Sequence, residues 1–348
     1  MTVAWVTVMS LLWWREGRRS GVSLRQMGLS PEVLLVEFGS YSHWMLIDQA
    51  GKRIGLHLLS IMPRDASETS AKRSGSQSEA DSNHREKPLT IPGYELDTRT
   101  RLEVQMLGLK LPVDLAAEVA MNHAFEMETM QARITLGGQL AFFDAFVEGQ
   151  RLYYRIRTPA GGLDADRATT PFASQSPQGP VAGSEGSLLP PGRDWCGRSR
   201  LKGPVVLSEV ILPILTRPKM LKEGLQWTTQ VSNPLLGRLN TQIEVRVDGR
   251  ATIELGSESV DAWKLTERLG TMTSHSWYDD QGRLVRRELP GRMVWSRTTT
   301  SEVGGEYPKF RSFEAYDPID RDYIKSHLDP DLIDAKIEEL LPISHNLF

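Results

Sequence analysis

The chain has 348 residues, 40% of them hydrophobic and 24% charged, with a net charge of −3 and a single cysteine. That length suffices for a real core, as one large β domain or two smaller ones. Interspersed charges of both signs create no basic field for nucleic acid, and one thiol excludes an intramolecular disulfide framework or a multi-thiolate zinc site.

The segment Met1 to Trp14 carries no charge and is followed by Arg15, Glu16, Arg18 and Arg19. A spanning helix needs about 20 apolar residues, and this run is shorter. A secretory signal places its positive charge before the apolar run rather than after it. Two readings stand: a membrane anchor or degenerate export signal, giving membrane association through residues 1–14, or a buried or interfacial segment. Residues 1–38 are therefore set apart from the rest of the chain.

Residues 39–158 show a period of two and predict the first half of an antiparallel sheet. Trp44 to Ile47 and Arg53 to Ile61 flank the turn Asp48-Gln49-Ala50-Gly51. Leu96 to Met106 alternates in part, with Leu102, Val104 and Met106 on one face, and Val113, Leu115, Ala117, Val119 and Met121 alternate again. Phe125 to Leu136, Leu140 to Val147 and Leu152 to Arg157 continue the meander, broken at Gly137-Gly138 and Glu148-Gly149. Residues 64–93 hold Ser, Glu, Asp, Lys and Arg with hardly an apolar residue before Leu89, and read as a mobile, disordered insertion. Residues 159–203, rich in Gly, Pro and Ser, read as a linker or long loop.

Residues 204–303 predict the second half of the sheet. Val205 to Leu215 is an apolar run interrupted by Pro213, a short helix or buried crossing segment rather than a central strand. Strands follow at Gln226 to Val231, Gln242 to Val247, Ala251 to Leu255, Ala262 to Leu269, Thr271 to Tyr278, Leu284 to Glu288 and Met293 to Thr298, with turns at Asp248-Gly249, Gly256 and Gln281-Gly282. The hairpin around Asp279-Asp280-Gln281-Gly282 has the clearest signature, since Gly282 can supply the positive φ that closes it. Residues 304–348 form a helical tail: Asp317-Pro318 and Asp329-Pro330 suit helix starts, and Leu332, Ile333, Lys336, Ile337, Leu340 and Leu341 follow helical spacing. The resulting amphipathic helix would dock on the sheet or on a partner.

The expected fold is mainly β, a curved antiparallel meander or half-barrel with a few short helices, because twist accumulates over a dozen strands. Its concave face needs a cover: helices, the segment Val205 to Leu215, or a hydrophobic ligand.

Four stretches carry a family likeness: Trp44 through Gly51-Lys52-Arg53-Ile54-Gly55, Met106-Leu107-Gly108, Val147-Glu148-Gly149-Gln150-Arg151-Leu152, and Trp277-Tyr278-Asp279-Asp280-Gln281-Gly282-Arg283-Leu284-Val285-Arg286. They resemble bacterial envelope domains of unknown function that occur alone or ahead of transglutaminase-like peptidase domains. In strand pattern the chain is similar to the lipoprotein localisation factors LolA and LolB, whose curved sheets hold acyl chains. The likeness spans roughly Tyr41 to Thr300 apart from the two loops. It implies a cell-envelope location, periplasmic or membrane-anchored, although the indistinct export signal leaves the cytoplasm open. Cys196 stands in Trp195-Cys196-Gly197-Arg198 within a Gly/Pro-rich loop and no peptidase-sized segment follows, so no catalytic residue carries over.

Phe142, Phe146, Tyr154, Trp227, Trp263, Leu265, Trp277 and Trp295 are candidates to line a groove for an acyl chain or apolar peptide; the alternative is core packing. Arg283, Arg286, Arg287 and Arg292, with Arg297, form a candidate anion or headgroup patch, or else a solvated strand face balanced by Glu267, Asp279 and Glu288. Cys196 reads as an incidental loop thiol. The seven histidines, His43, His57, His84, His123, His275, His327 and His345, lack metal-ligand spacing and read as strand-surface or loop residues. Asp279 and Asp280 serve the turn, and no cofactor is implied. The expected function is a non-catalytic envelope protein holding a lipid or lipoprotein acyl chain. The alternatives are an accessory domain partnering a transglutaminase-like peptidase or secretion component through the C-terminal helix, and a hydrolase with a dispersed site.

Overall fold

A computed structural model describes residues 41–64, 93–106, 109–159, 192–201, 203–207, 221–233, 238–256, 258–270, 272–298 and 318–334. The apolar segment 1–14, the insertion from 65 to 92, most of the linker, residues 208–220 and the tail beyond 334 lie outside the described residues.

The first meander comprises β1 (Tyr41–Gln49), β2 (Lys52–Arg64), β3 (Gly93–Met106), β4 (Leu109–Asn122), β5 (Met127–Leu136), β6 (Gln139–Glu148), β7 (Arg151–Arg157) and β8 (Asp194–Arg200). The second comprises β9 (Gln226–Asn233), β10 (Arg238–Leu255), β11 (Glu258–Leu269), β12 (Met272–Tyr278), β13 (Leu284–Leu289) and β14 (Met293–Thr298). A helix, α1 (Arg321–Ser326), and β15 (Leu328–Ile333) follow. Each meander pairs its strands in chain order, and β1 pairs antiparallel with β14, joining both into one fifteen-stranded sheet with β15 and β9 at its ends.

Laid flat at ~4.8 Å per strand, such a sheet would span about 65–70 Å and leave its apolar face in water. It curls instead. One buried cluster takes Leu59, Tyr94, Val119, Phe143 and Tyr154 from the first meander together with Trp227, Val245, Val247 and Leu265 from the second. The Val205 to Leu207 segment, without regular structure, enters the same cluster, and Met127 N donates to the Val205 carbonyl at 2.8 Å. The chain thus supplies part of its own concave cover.

Turns fall where glycine allows. Ala50 and Gly51 (φ 50° and 82°) close the first hairpin, and Gly282 (φ 72°) closes the one at Asp279, whose Oδ1 accepts from the Gln281 and Arg283 amides. Asp248-Gly249, expected as a turn, is instead an irregularity inside the 18-residue β10, where the register against β11 shifts between Val247 and Gly249. The expected linker 159–203 contains β8, which extends the sheet beside β7. Beyond it the edge takes β15 in parallel. Residues 328–333 are therefore strand rather than the start of the expected helix, because an open edge offers backbone partners that helical spacing cannot outweigh. Helix α1 comes earlier, capped by the Asp320 carboxylate accepting from Tyr323 N.

At Gly197 the packing leaves no room for a side chain. Gly197 in β8 lies under the Tyr154 ring, and a Cβ there would overlap that ring. Gly197→Val is expected to cost about 3 kcal/mol through overpacking, read as a fall of several degrees in thermal midpoint. An unchanged midpoint would mean that the Tyr154 ring is not fixed by its neighbours.

Candidate functional site

Cross-strand register decides which side chains share the concave face, because neighbours directly opposite point the same way. Ile47 faces Trp295, Trp295 faces Arg287, Arg287 faces Ser276, and Ser276 faces Leu265. In the next row Thr100 faces His57, His57 faces Met45, and Met45 faces Arg297. A polar belt therefore crosses an apolar surface, from β3 through β2 and β14 to β11.

Its members are tied together. His57 Nδ1 lies 2.8 Å from Thr100 Oγ1, and its ring is 4.7 Å from the Trp295 ring. Arg287 donates to Glu267 Oε2 at 2.8 Å, while Ser276 and Ser274 donate to the same carboxylate at 2.5 and 3.3 Å. Glu267 is only 3% exposed and Ser276 fully buried. Arg297 donates to Asp279 Oδ2 at 2.6 Å and Arg283 to the same oxygen at 2.9 Å.

Burial, reinforced by Arg297, pulls the His43 pKa down to about 4. Burial, then His43 and Arg287, pulls His57 to about 3. Both imidazoles are neutral near pH 7. Burial pushes the Asp279 carboxyl up, but the Arg297 and Arg283 hydrogen bonds outweigh it and leave the pKa below its ordinary value. The belt is polar, yet its cations are balanced: Arg287 by Glu267, and Arg297 and Arg283 by Asp279.

The register divides the expected groove set. Tyr154, Trp227 and Leu265 belong to the main interior cluster, and Trp263 and Trp295 pack against it. Phe142, Phe146 and Trp277 do not face that interior. Phe146 lies on the outer face with Tyr153, Cys196 and Ile324 of α1, beneath Arg321 and Lys325 at 5.2 and 5.8 Å from its ring. Phe142 lies opposite Arg133 and Arg157, whose guanidinium is 5.4 Å from its ring. Trp277 is opposite Lys264, while Trp263 is opposite Tyr278, so the two tryptophans face opposite sides. Trp277 joins Ile253, Ala262 and Val285 in a separate outer cluster.

The arginines do not gather into one patch either. Arg287 faces inward to Glu267, Arg286 pairs with Glu288 at 2.7 Å, Arg283 pairs with Asp279, and Arg292 is exposed in the short 3-10 turn Pro290–Arg292. Cys196, expected in a loop, is a buried residue of β8, and burial pushes its thiol up to about 11. His43 and His57, expected on a strand surface or loop, are buried in the interior. Together with Thr100 and Ser276 they form the part of the belt that sequence reading does not single out, whereas Arg297 and Glu267 enter that reading only as an arginine-patch member and a counter-charge. Among the described residues no group of three His, Cys, Asp or Glu is placed to hold a metal ion.

No protein-family model matches the chain, and no curated protein matches it. A solved structure that does align is described as a β-barrel-like protein of the domain of unknown function DUF1849 from Brucella abortus. It is 10% identical with a TM-score of 0.39, and the alignment covers 75% of this chain and 95% of that one.

Proposed function

We propose that the chain is a non-catalytic binding protein that holds a hydrophobic ligand, a lipid or an acyl chain, against the concave face of its sheet. One observation carries this reading. Leu269, Met272, Leu289 and Met293, on the four neighbouring strands β11 to β14, alternate inward yet remain half-exposed. Toward the other end of the interior, Tyr94, Leu96, Val119, Met121 and Tyr154 are at most 2% exposed. The concave face is thus filled by its own side chains at one end, while at the other its apolar residues stay only partly covered. Such a partly covered rim costs free energy in water and favours an apolar occupant.

A cell-envelope location belongs to the same proposal and rests on the likeness to envelope domains. The accessory-domain alternative rests on the helix expected after Asp329, where residues 328–333 are strand β15 and the tail beyond 334 lies outside the described residues.

Titration with the fluorescent apolar probe 1-N-phenylnaphthylamine tests the reading. Saturable one-to-one binding is expected, weakened about tenfold or more by Leu289→Lys at the rim, since a lysine there places a charge against the apolar part of the ligand. Unsaturable binding, or equal binding by both proteins, contradicts it.

A further inference from the structure

We infer, building on the reading above, that the polar part of the ligand is an uncharged hydrogen-bond acceptor, an ester or amide carbonyl, received by indole N–H groups of the interior. Trp227, Trp263 and Trp295 all belong to or pack against the one interior cluster. In each the Nε1 atom is buried and has no hydrogen-bond partner among the described residues. Trp227 as a residue is only 6% exposed. An indole N–H donates and never accepts, so these groups select a ligand that brings acceptors. Three such donors, from β9, β11 and β14, share one interior cluster, and buried donors are ordinarily paired.

The charges around them argue for a neutral acceptor over an anion. Trp295 stands beside Arg287 across the strand and beside Arg297 along its own strand. Arg287 is bound to Glu267 and Arg297 to Asp279. A carboxylate entering here would lose its hydration and meet cations whose charge is already compensated. An ester or amide carbonyl loses far less on desolvation and is satisfied by an indole N–H. The position suits an amphiphile. Trp295 lies on the same strand as Met293, two residues from the partly covered rim, so an acyl chain could occupy the apolar surface while its linkage meets the belt.

The experiment is probe displacement from the full chain by three C18 compounds: methyl oleate, 1-octadecene and, at pH 8, oleate. Methyl oleate is expected to displace the probe at about tenfold lower concentration than 1-octadecene, the equivalent of one or two neutral hydrogen bonds, and to outcompete oleate. Trp295→Phe, which keeps a ring against His57, should reduce the ester's advantage about threefold to fivefold and leave 1-octadecene unchanged; Trp263→Phe provides a second, independent variant. Equal displacement by ester and alkene overturns the acceptor site while leaving hydrophobic binding intact. Oleate binding most tightly overturns it in favour of an anion site. Failure of all three to displace the probe overturns this inference together with the proposed function.

Discussion

Replacing Glu267 by glutamine is expected to cost about 3–5 kcal/mol of stability, because it strands a cation in the interior. Glu267 is 3% exposed and receives Arg287, Ser276 and Ser274. Glutamine keeps the shape and an acceptor but removes the charge that balances Arg287. Joining Glu267→Gln with Arg287→Met should recover most of the loss, since removing both charges abolishes the unpaired one. Urea unfolding of the two single variants and the double variant measures this. A single variant within about 0.5 kcal/mol of the parent would mean that the pair is solvated and that the belt is not a buried element of the fold.

Stability should also fall steeply as the pH drops from 6.5 towards 4. His43 and His57 have folded pKa values of about 4 and about 3, below their ordinary value of 6.5. Between those limits the unfolded chain binds more protons than the folded one, so stability is complete above pH 6.5 and is lost progressively below it. Each histidine contributes about 2 kcal/mol of loss between pH 7 and pH 5. Asp194, Asp248 and Asp279, whose pKa values are lowered, act in a separate window: their contribution persists above the ordinary carboxylate value and disappears only as the pH falls below it. Urea midpoints across pH 5 to 7.5 for the parent and for His43→Gln and His57→Gln separate these effects. The variants should flatten the profile in that range, and a profile unchanged by both would show that neither ring is neutralised by folding.

The meander was legible because strand alternation and glycine turns are local signals: Gly51, Gly137-Gly138 and Gly282 all lie at hairpin turns with positive φ. Facing was not. Trp263 and Trp277 read as one aromatic set, yet the register of β11 against β12 opposes Trp277 to Lys264, and bulges at Trp277/Tyr278 and Val247/Gly249 shift the alternation again. A one-residue slip turns every side chain to the other face, and no residue type announces it. In β6 both faces are buried, the outer one against α1, so Phe142 to Phe146 show no alternation to read. His57 stands in Gly55-Leu56-His57-Leu58-Leu59, where apolar residues flank it on both sides. Its burial becomes visible only when Thr100, 43 residues away, is placed against it. The belt is assembled from strands distant in sequence, which is why composition and spacing did not reveal it.

If the partly covered concave face carries a hydrophobic ligand, the chain should bring one with it out of the cell. Native mass spectrometry with organic extraction, on the full chain purified from a membrane-containing bacterial lysate, reads this without a probe. A stoichiometric lipid adduct is expected, lost in Leu289→Lys while the circular dichroism stays that of a folded β protein. A clean mass of the chain alone, with no extractable lipid, would overturn the binding function.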